Sequence, residues 1–162
     1  MSRTKAVDVF GRVAWVWDNS HDIVLAHMIE AADELGSISA TTVNNWRVWA
    51  SVSDLAFDFP AGDSTNVADV LSTLIRARSA IEAHGNVVPG DLVGWSVLDG
   101  CDVSDGFLRG DELPVTALLD VAFGLEQLLT ETLEPDPPDG WWFLGVPDGR
   151  RVMPRRPTEP SE

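Results

Sequence analysis

Apolar positions recur three and four residues apart along much of the chain, and the elements follow from where that rhythm starts and stops. Between 4 and 17, Ala6, Val7, Phe10, Val13, Ala14 and Trp17 fall at helical spacing, whereas Val13, Trp15 and Trp17 alternate as in a strand. The helical set runs over more than three turns, which favours helix. Asp18-Asn19-Ser20 interrupts the pattern, with Ser20 placed to cap a helix over about 21–35. Leu25, Met28, Ile29, Ala32 and Leu35 share one face of that helix, and Gly36 stands where a left-handed cap would end it. Ser39 opens a further segment, 39–52, with Val43, Trp46 and Ala50 on one stripe. Leu55, Phe57 and Phe59 alternate up to Pro60, as a short strand or a frayed helix end.

Gly62-Asp63-Ser64-Thr65 signals the start of a helix over 64–84, with Val67, Val70, Leu71, Leu74 and Ile81 buried and Gly85 at its end. From 86 to 113 Gly and Asp punctuate the chain, with Trp95-Ser96-Val97-Leu98 as a short strand candidate. Pro114 suits the first turn of the most apolar helix, which carries Leu118, Leu119, Leu125 and Leu129, is expected at the centre and stops before Pro135. A Pro-rich connector, 134–140, leads to Trp141-Trp142-Phe143-Leu144, a Pro147-Asp148-Gly149 turn and Arg150-Arg151-Val152-Met153, the pattern of a small hairpin. The expected fold is mainly α: one α-rich domain over 1–153, a bundle of about five helices with a small C-terminal β-hairpin over 141–153. A disordered tail follows over 154–162.

Charge narrows the partners. The 162 residues carry 11 basic and 26 acidic side chains, and seven of the basic ones sit at the two ends. Residues 13–149 hold four arginines against 23 carboxylates, a formal balance of −19. Such a body repels nucleic acid and anionic membrane and attracts cationic surfaces. The lone Cys101 excludes an internal disulfide and fits a reducing compartment. No apolar run approaches the ~20 residues of a bilayer span, and the start lacks a leader's apolar stretch, so the expectation is a cytoplasmic protein without membrane contact.

Residues 35–49, Leu-Gly-Ser-Ile-Ser-Ala-Thr-Thr-Val-Asn-Asn-Trp-Arg-Val-Trp, pull the other way. They resemble the helix-turn-helix pattern of DNA-binding regulators over 28–49, with one residue more than usual between Gly36 and Val43. The resemblance implies that Ser39, Thr42, Asn44, Asn45 and Arg47 face a major groove, Asn reading adenine and Arg guanine, in a homodimer. No carboxylate lies between Leu35 and Ser53, yet phosphate-gripping lysines are missing too.

Other chemistry is sparse. Gly106 and Glu112 match the sixth and twelfth positions of a calcium loop, but Cys101 and Val103 occupy two positions that need oxygen ligands, so no metal is expected. His27 and Glu30 share a helix face without the second pair that a di-metal bundle requires. No nucleophile motif or phosphate-cradling glycine pattern occurs, so neither catalysis nor a cofactor is expected. Residues 90–140 hold twelve acids and one arginine, Arg109. Asp99, Asp102, Asp105, Asp111 and Glu112 therefore form the expected partner face. Trp141 and Trp142, which cannot both face inward on one strand, supply an aromatic anchor. The leading expectation is a non-enzymatic acidic protein that binds a cationic protein surface, for instance an antidote or immunity protein masking a nucleic-acid-acting enzyme. DNA binding through residues 39–49 is the alternative.

Overall fold

The chain begins with a hairpin. In the computed structural model, which describes residues 4–52, 54–92, 95, 97 and 112–155, β1 (Thr4–Val9) runs antiparallel to β2 (Arg12–Trp17). Phe10 and Gly11 join them with φ of 55° and 83°, the left-handed pair that a tight turn between right-twisted strands requires. Lys5, Val7, Val9, Ala14 and Val16 point inward and are buried. Val13, Trp15 and Trp17 alternate outward and are half-buried. The helix expected over 4–17 is thus replaced by two strands. Because outward positions of β2 carry Val and Trp instead of polar side chains, both faces read as apolar and the period of two is masked.

Three more strands complete the sheet. β3 (Asp58–Phe59) pairs parallel to β1, with Asp8 opposite Asp58. β4 (Gly140–Leu144) pairs parallel to β2, with Trp15 opposite Phe143, and β5 (Arg151–Pro154) pairs antiparallel to β4. The order is β3-β1-β2-β4-β5. The C-terminal hairpin is present, but as one edge of a five-stranded mixed sheet centred on the N-terminal strands. The mainly-α bundle is therefore corrected to helices on a sheet, 51% helical and 19% strand among the described residues. The pairing of residues about 130 positions apart leaves no local signature, which is why the sheet is not readable from either end alone.

Helices α1 (Asp18–Leu35), α2 (Ala40–Ser51), α3 (Val67–His84), the single turn α4 (Pro89–Leu92) and α5 (Val115–Leu129) are those among the described residues. The centre is α1, not the last helix. Residues 20–29 of α1 are all buried, the polar Ser20, His21, Asp22 and His27 among them, with the sheet on one side and α2, α3 and α5 around the helix. α5 instead leaves Phe123 42% exposed. Gly124 lets α5 approach the sheet, since a Cβ there would run into the Leu144 side chain. Gly36 closes α1 at φ 70°, and Ser39 caps α2 by accepting from Thr42 N–H at 3.2 Å. Two caps differ from expectation. Asn66 caps α3, and Ser20 lies inside α1, its hydroxyl donating to Gly145 O at 2.6 Å. Trp46 is 2% exposed and packs on Phe57. Burial of each large core side chain contributes about 1.5–3 kcal/mol.

One buried polar cluster pins the layers together. Lys5 on β1 donates to Asp22 Oδ1 at 2.8 Å, Trp49 O at 2.8 Å and Val52 O at 3.1 Å, using all of its protons. His21 Nε2 accepts the Phe57 N–H at 3.0 Å, which places the ring proton on Nδ1, 2.8 Å from Asp22 Oδ1. Burial lowers the His21 pKa against the pull of Asp22, so the ring is neutral.

Candidate functional site

The residues expected to carry function are scattered. Asp99, Asp102, Asp105 and Asp111 lie outside the described residues, and Glu112 is exposed beside the Val87–Leu113 bridge. Trp141 and Trp142 take opposite faces of β4. Trp142 turns to the helix side, donating from Nε1 to Glu134 O at 3.1 Å with the Arg150 guanidinium 5.9 Å above its ring. Trp141 turns outward, 6.3 Å from Trp15 between ring centroids and under the Arg155 guanidinium at 5.0 Å.

The segment 39–49 forms α2, and its polar residues divide by role. Ser39 and Thr42 hold the helix start, the Thr42 hydroxyl also lying 3.3 Å from that of Thr65. Asn44, Asn45 and Arg47 are exposed. Arg47 reaches back to Asp33 on α1 at 3.3 Å. Asn45 lines a cleft of about 600 Å³ between α2, β3 and the start of α3.

The walls of that cleft follow from local chemistry. On one side, Ser39, Thr42 and Asn45 descend the first turns of α2. On the other, the chain turns at Pro60–Asp63, Asp63 Oδ1 accepts the Thr65 N–H at 2.7 Å, and Asn66 Oδ1 accepts the Ala68 N–H at 2.9 Å to start α3. Asp69 follows in the first turn, and Asp58 enters from the sheet edge. Trp46, Trp49 and Phe59 add ring surface to the lining.

Electrostatics gives the cleft its character. Asp58, Asp63 and Asp69 contribute three carboxylates, against about half a positive charge from each of two helix N-termini. The balance is about −2. The Asp58 pKa is raised by desolvation first, then by the neighbouring charges of Asp8 and Asp63. The chain's own cations are spent elsewhere. Lys5 holds Asp22, Arg47 Asp33, Arg76 Glu34, Arg78 Glu126 and Arg150 Asp120; Arg12 and Arg155 flank Asp136, and Arg151 meets Asp148. Among the described residues, no ion pair reaches Asp58, Asp63 or Asp69. A nucleic-acid backbone laid along α2 would meet these acids beside Asn45, and no cation but an already paired Arg47.

His27 and Glu30 do not act together. Glu30 accepts from Trp95 Nε1, whereas among the described residues neither ring nitrogen of His27 has a partner, and its neighbours include the rings of Trp95 at 4.9 Å and His84 at 6.5 Å. Burial, followed by the charge of His84, lowers the His27 pKa to about 4. Among the described residues no three His, Cys, Asp or Glu side chains converge as a metal site requires, and no helix is long and apolar enough to cross a membrane.

Sequence reasoning found the α2 wall of the cleft but not its acids. Asp63 reads as a helix-start signal and Asp58 and Asp69 as ordinary surface carboxylates, because only the tertiary fold brings them beside Asn45. The chain matches no known protein family, no curated protein and no solved structure.

Proposed function

We propose that this chain is an acidic binding protein that recognises a cationic protein surface, and that the α2–α3 cleft receives a basic side chain of its partner. The observation that carries this reading is the charge imbalance of the cleft. The lining holds Asp63 and Asp69, with Asp58 at its sheet-edge rim, and among the described residues no ion pair reaches these acids, in a molecule whose described lysine and arginines are all engaged with other acids or with carbonyls. Hydroxyl and amide oxygens around them suit a guanidinium or ammonium group, and the half-buried Trp49 offers ring surface for its stem. A partner that uses its cations on nucleic acid fits best, since such a protein presents clustered basic side chains that an acidic surface can mask.

The test is a titration of the full chain with an arginine-rich peptide and with its alanine-substituted control, followed by amide chemical shifts. The arginine peptide should move the amides of Asn45, Thr65 and Asp69 at low salt, and the control should not. Asp63→Asn with Asp69→Asn should weaken binding about tenfold. The fold is kept in this double variant, because a side-chain amide oxygen at position 63 still accepts the Thr65 N–H. Shifts confined to other surfaces, or unchanged affinity in the double variant, would exclude the cleft.

A further inference from the structure

The sheet has a second face that none of the described helices uses. Along β2, β4 and β5 the outward positions are Val13, Trp15, Trp17, Trp141, Phe143 and Met153. A sheet with one wet face normally alternates apolar inward and polar outward. Here the middle of the outward face is aromatic: Trp15, Trp17, Trp141 and Phe143 are half-buried, Trp15 lies against Trp141, Arg155 sits over the Trp141 ring, and Trp15 Nε1 is shut from water without a partner. Contiguous apolar surface framed by charge marks an interaction site.

The charges at its borders say what kind. Asp8 and Asp58 sit side by side at the β1–β3 edge, where desolvation and mutual repulsion raise the Asp58 pKa. Arg151 and Arg155 sit at the opposite edge, outward like Met153 between them. Their present contacts are exposed and weak: Asp148 three residues away, and Asp136 at 3.8 Å. One edge is acidic, the other basic, and the middle is aromatic. That arrangement is self-complementary. A twofold axis along β2 lays β3 of one copy over β5 of the other while keeping each residue's height along the strands. From the strand registers, Asp58 then comes opposite Met153, straddled by Arg151 and Arg155.

We propose that this face docks a second copy of the chain, forming a two-sheet sandwich with sheets about 10 Å apart. Both borders form ion pairs, Asp58 of each copy with Arg151 and Arg155 of the other, and Trp15 meets its own image near the axis. A twofold axis perpendicular to the strands would instead set acid on acid, so charge selects the first arrangement. The covered face is small, roughly 20 Å on a side from strand spacing and rise, so the dimer is a reversible one.

Sedimentation velocity on the full chain over a range of concentrations and salt tests this. The wild type should move from monomer to dimer as concentration rises, with its tryptophan emission shifting to the blue, and should dissociate as salt screens the borders. Arg151→Glu with Arg155→Glu should raise the dimer dissociation constant about a hundredfold, and Asp58→Lys should do the same. An equal mixture of the two variants should regain a dimer, a result that a general loss of fold cannot produce. A wild type that stays monomeric at every concentration, a dimer indifferent to the arginine reversals, or a folded mixture that fails to associate would overturn the proposal. The cleft test leaves Asp58, Arg151 and Arg155 in place, so either proposal can fail alone.

Discussion

Two histidines six residues apart on α1 are both buried, and their surroundings are opposite. His21 is 1% exposed, and each ring nitrogen has a partner in the Lys5–Asp22 cluster or the Phe57 amide. His27 is 6% exposed and has none among the described residues, where it lies against the rings of Trp95 and His84. The first is a joint: it ties β1, α1, the end of α2 and the approach to β3 through donors and acceptors that match one to one. The second is an imidazole in an apolar slot, stable there only without its proton. Burial alone does not make a polar group structural; what matters is whether its hydrogen bonds go inward with it.

The largest expected effect comes from breaking the joint. Lys5→Met removes the ammonium and leaves Asp22 buried with only the neutral His21 as a donor in that cluster, and the Trp49 and Val52 carbonyls lose theirs. Stability should fall by about 3–5 kcal/mol, as when one partner of a buried ion pair is removed, measured as a lower urea midpoint. Asp22→Leu added to Lys5→Met should restore part of the loss. A Lys5→Met loss below about 1 kcal/mol would mean that water reaches the cluster, and the joint would be no more than a surface contact.

Acid should find His27 next. Its pKa is about 4 in the fold and 6.5 when exposed, so above pH 6.5 both states are neutral and the group contributes nothing. As pH falls from 6.5 to 4 the unfolded chain takes up a proton that the folded one refuses, and stability drops. The full drop is on the order of 3 kcal/mol and is complete near pH 4. Glu30, His84 and Asp91 lie in the same neighbourhood, Asp91 held below its ordinary pKa by the Val88 amide and His84. The His27 share is therefore read as the difference between wild-type and His27→Leu stability curves over this range, and curves that run parallel would place the acid effect elsewhere.

The same contrast explains how much the sequence reveals. Signals that act within a turn or two are legible: Gly36 and Gly85 end their helices, Ser39 caps α2, and Pro147-Asp148-Gly149 turns between β4 and β5. What depends on distant pairing is not. Lys5 reads as one of several terminal cations until the fold sets it on Asp22. Trp15 and Trp17 read as helix or strand because the sheet's second face is itself aromatic. In the cleft, Asn45 is visible as a polar residue on a helix, but Asp58 and Asp69 gain meaning only when β3 and α3 close around it. The two histidines look alike in sequence, since neither its neighbour Asp22 nor the lack of one at His27 announces a completed hydrogen bond.

His27→Leu sharpens the comparison most finely, because it should change stability least. Leucine fills a similar volume against Trp95 and removes two ring nitrogens that have no partner. Replacing an unsatisfied buried group by an apolar one is neutral to stabilising, here by up to about 1 kcal/mol at pH 7.5. At that pH the protonation contribution is absent, so the measurement reports packing and desolvation alone. His21→Leu in the same assay should go the other way, since it strands the Phe57 amide and removes one donor from Asp22, costing about 1–3 kcal/mol for the unmet buried groups. If both substitutions destabilise equally, the ring of His27 is engaged after all, and the distinction between the joint and the slot is lost.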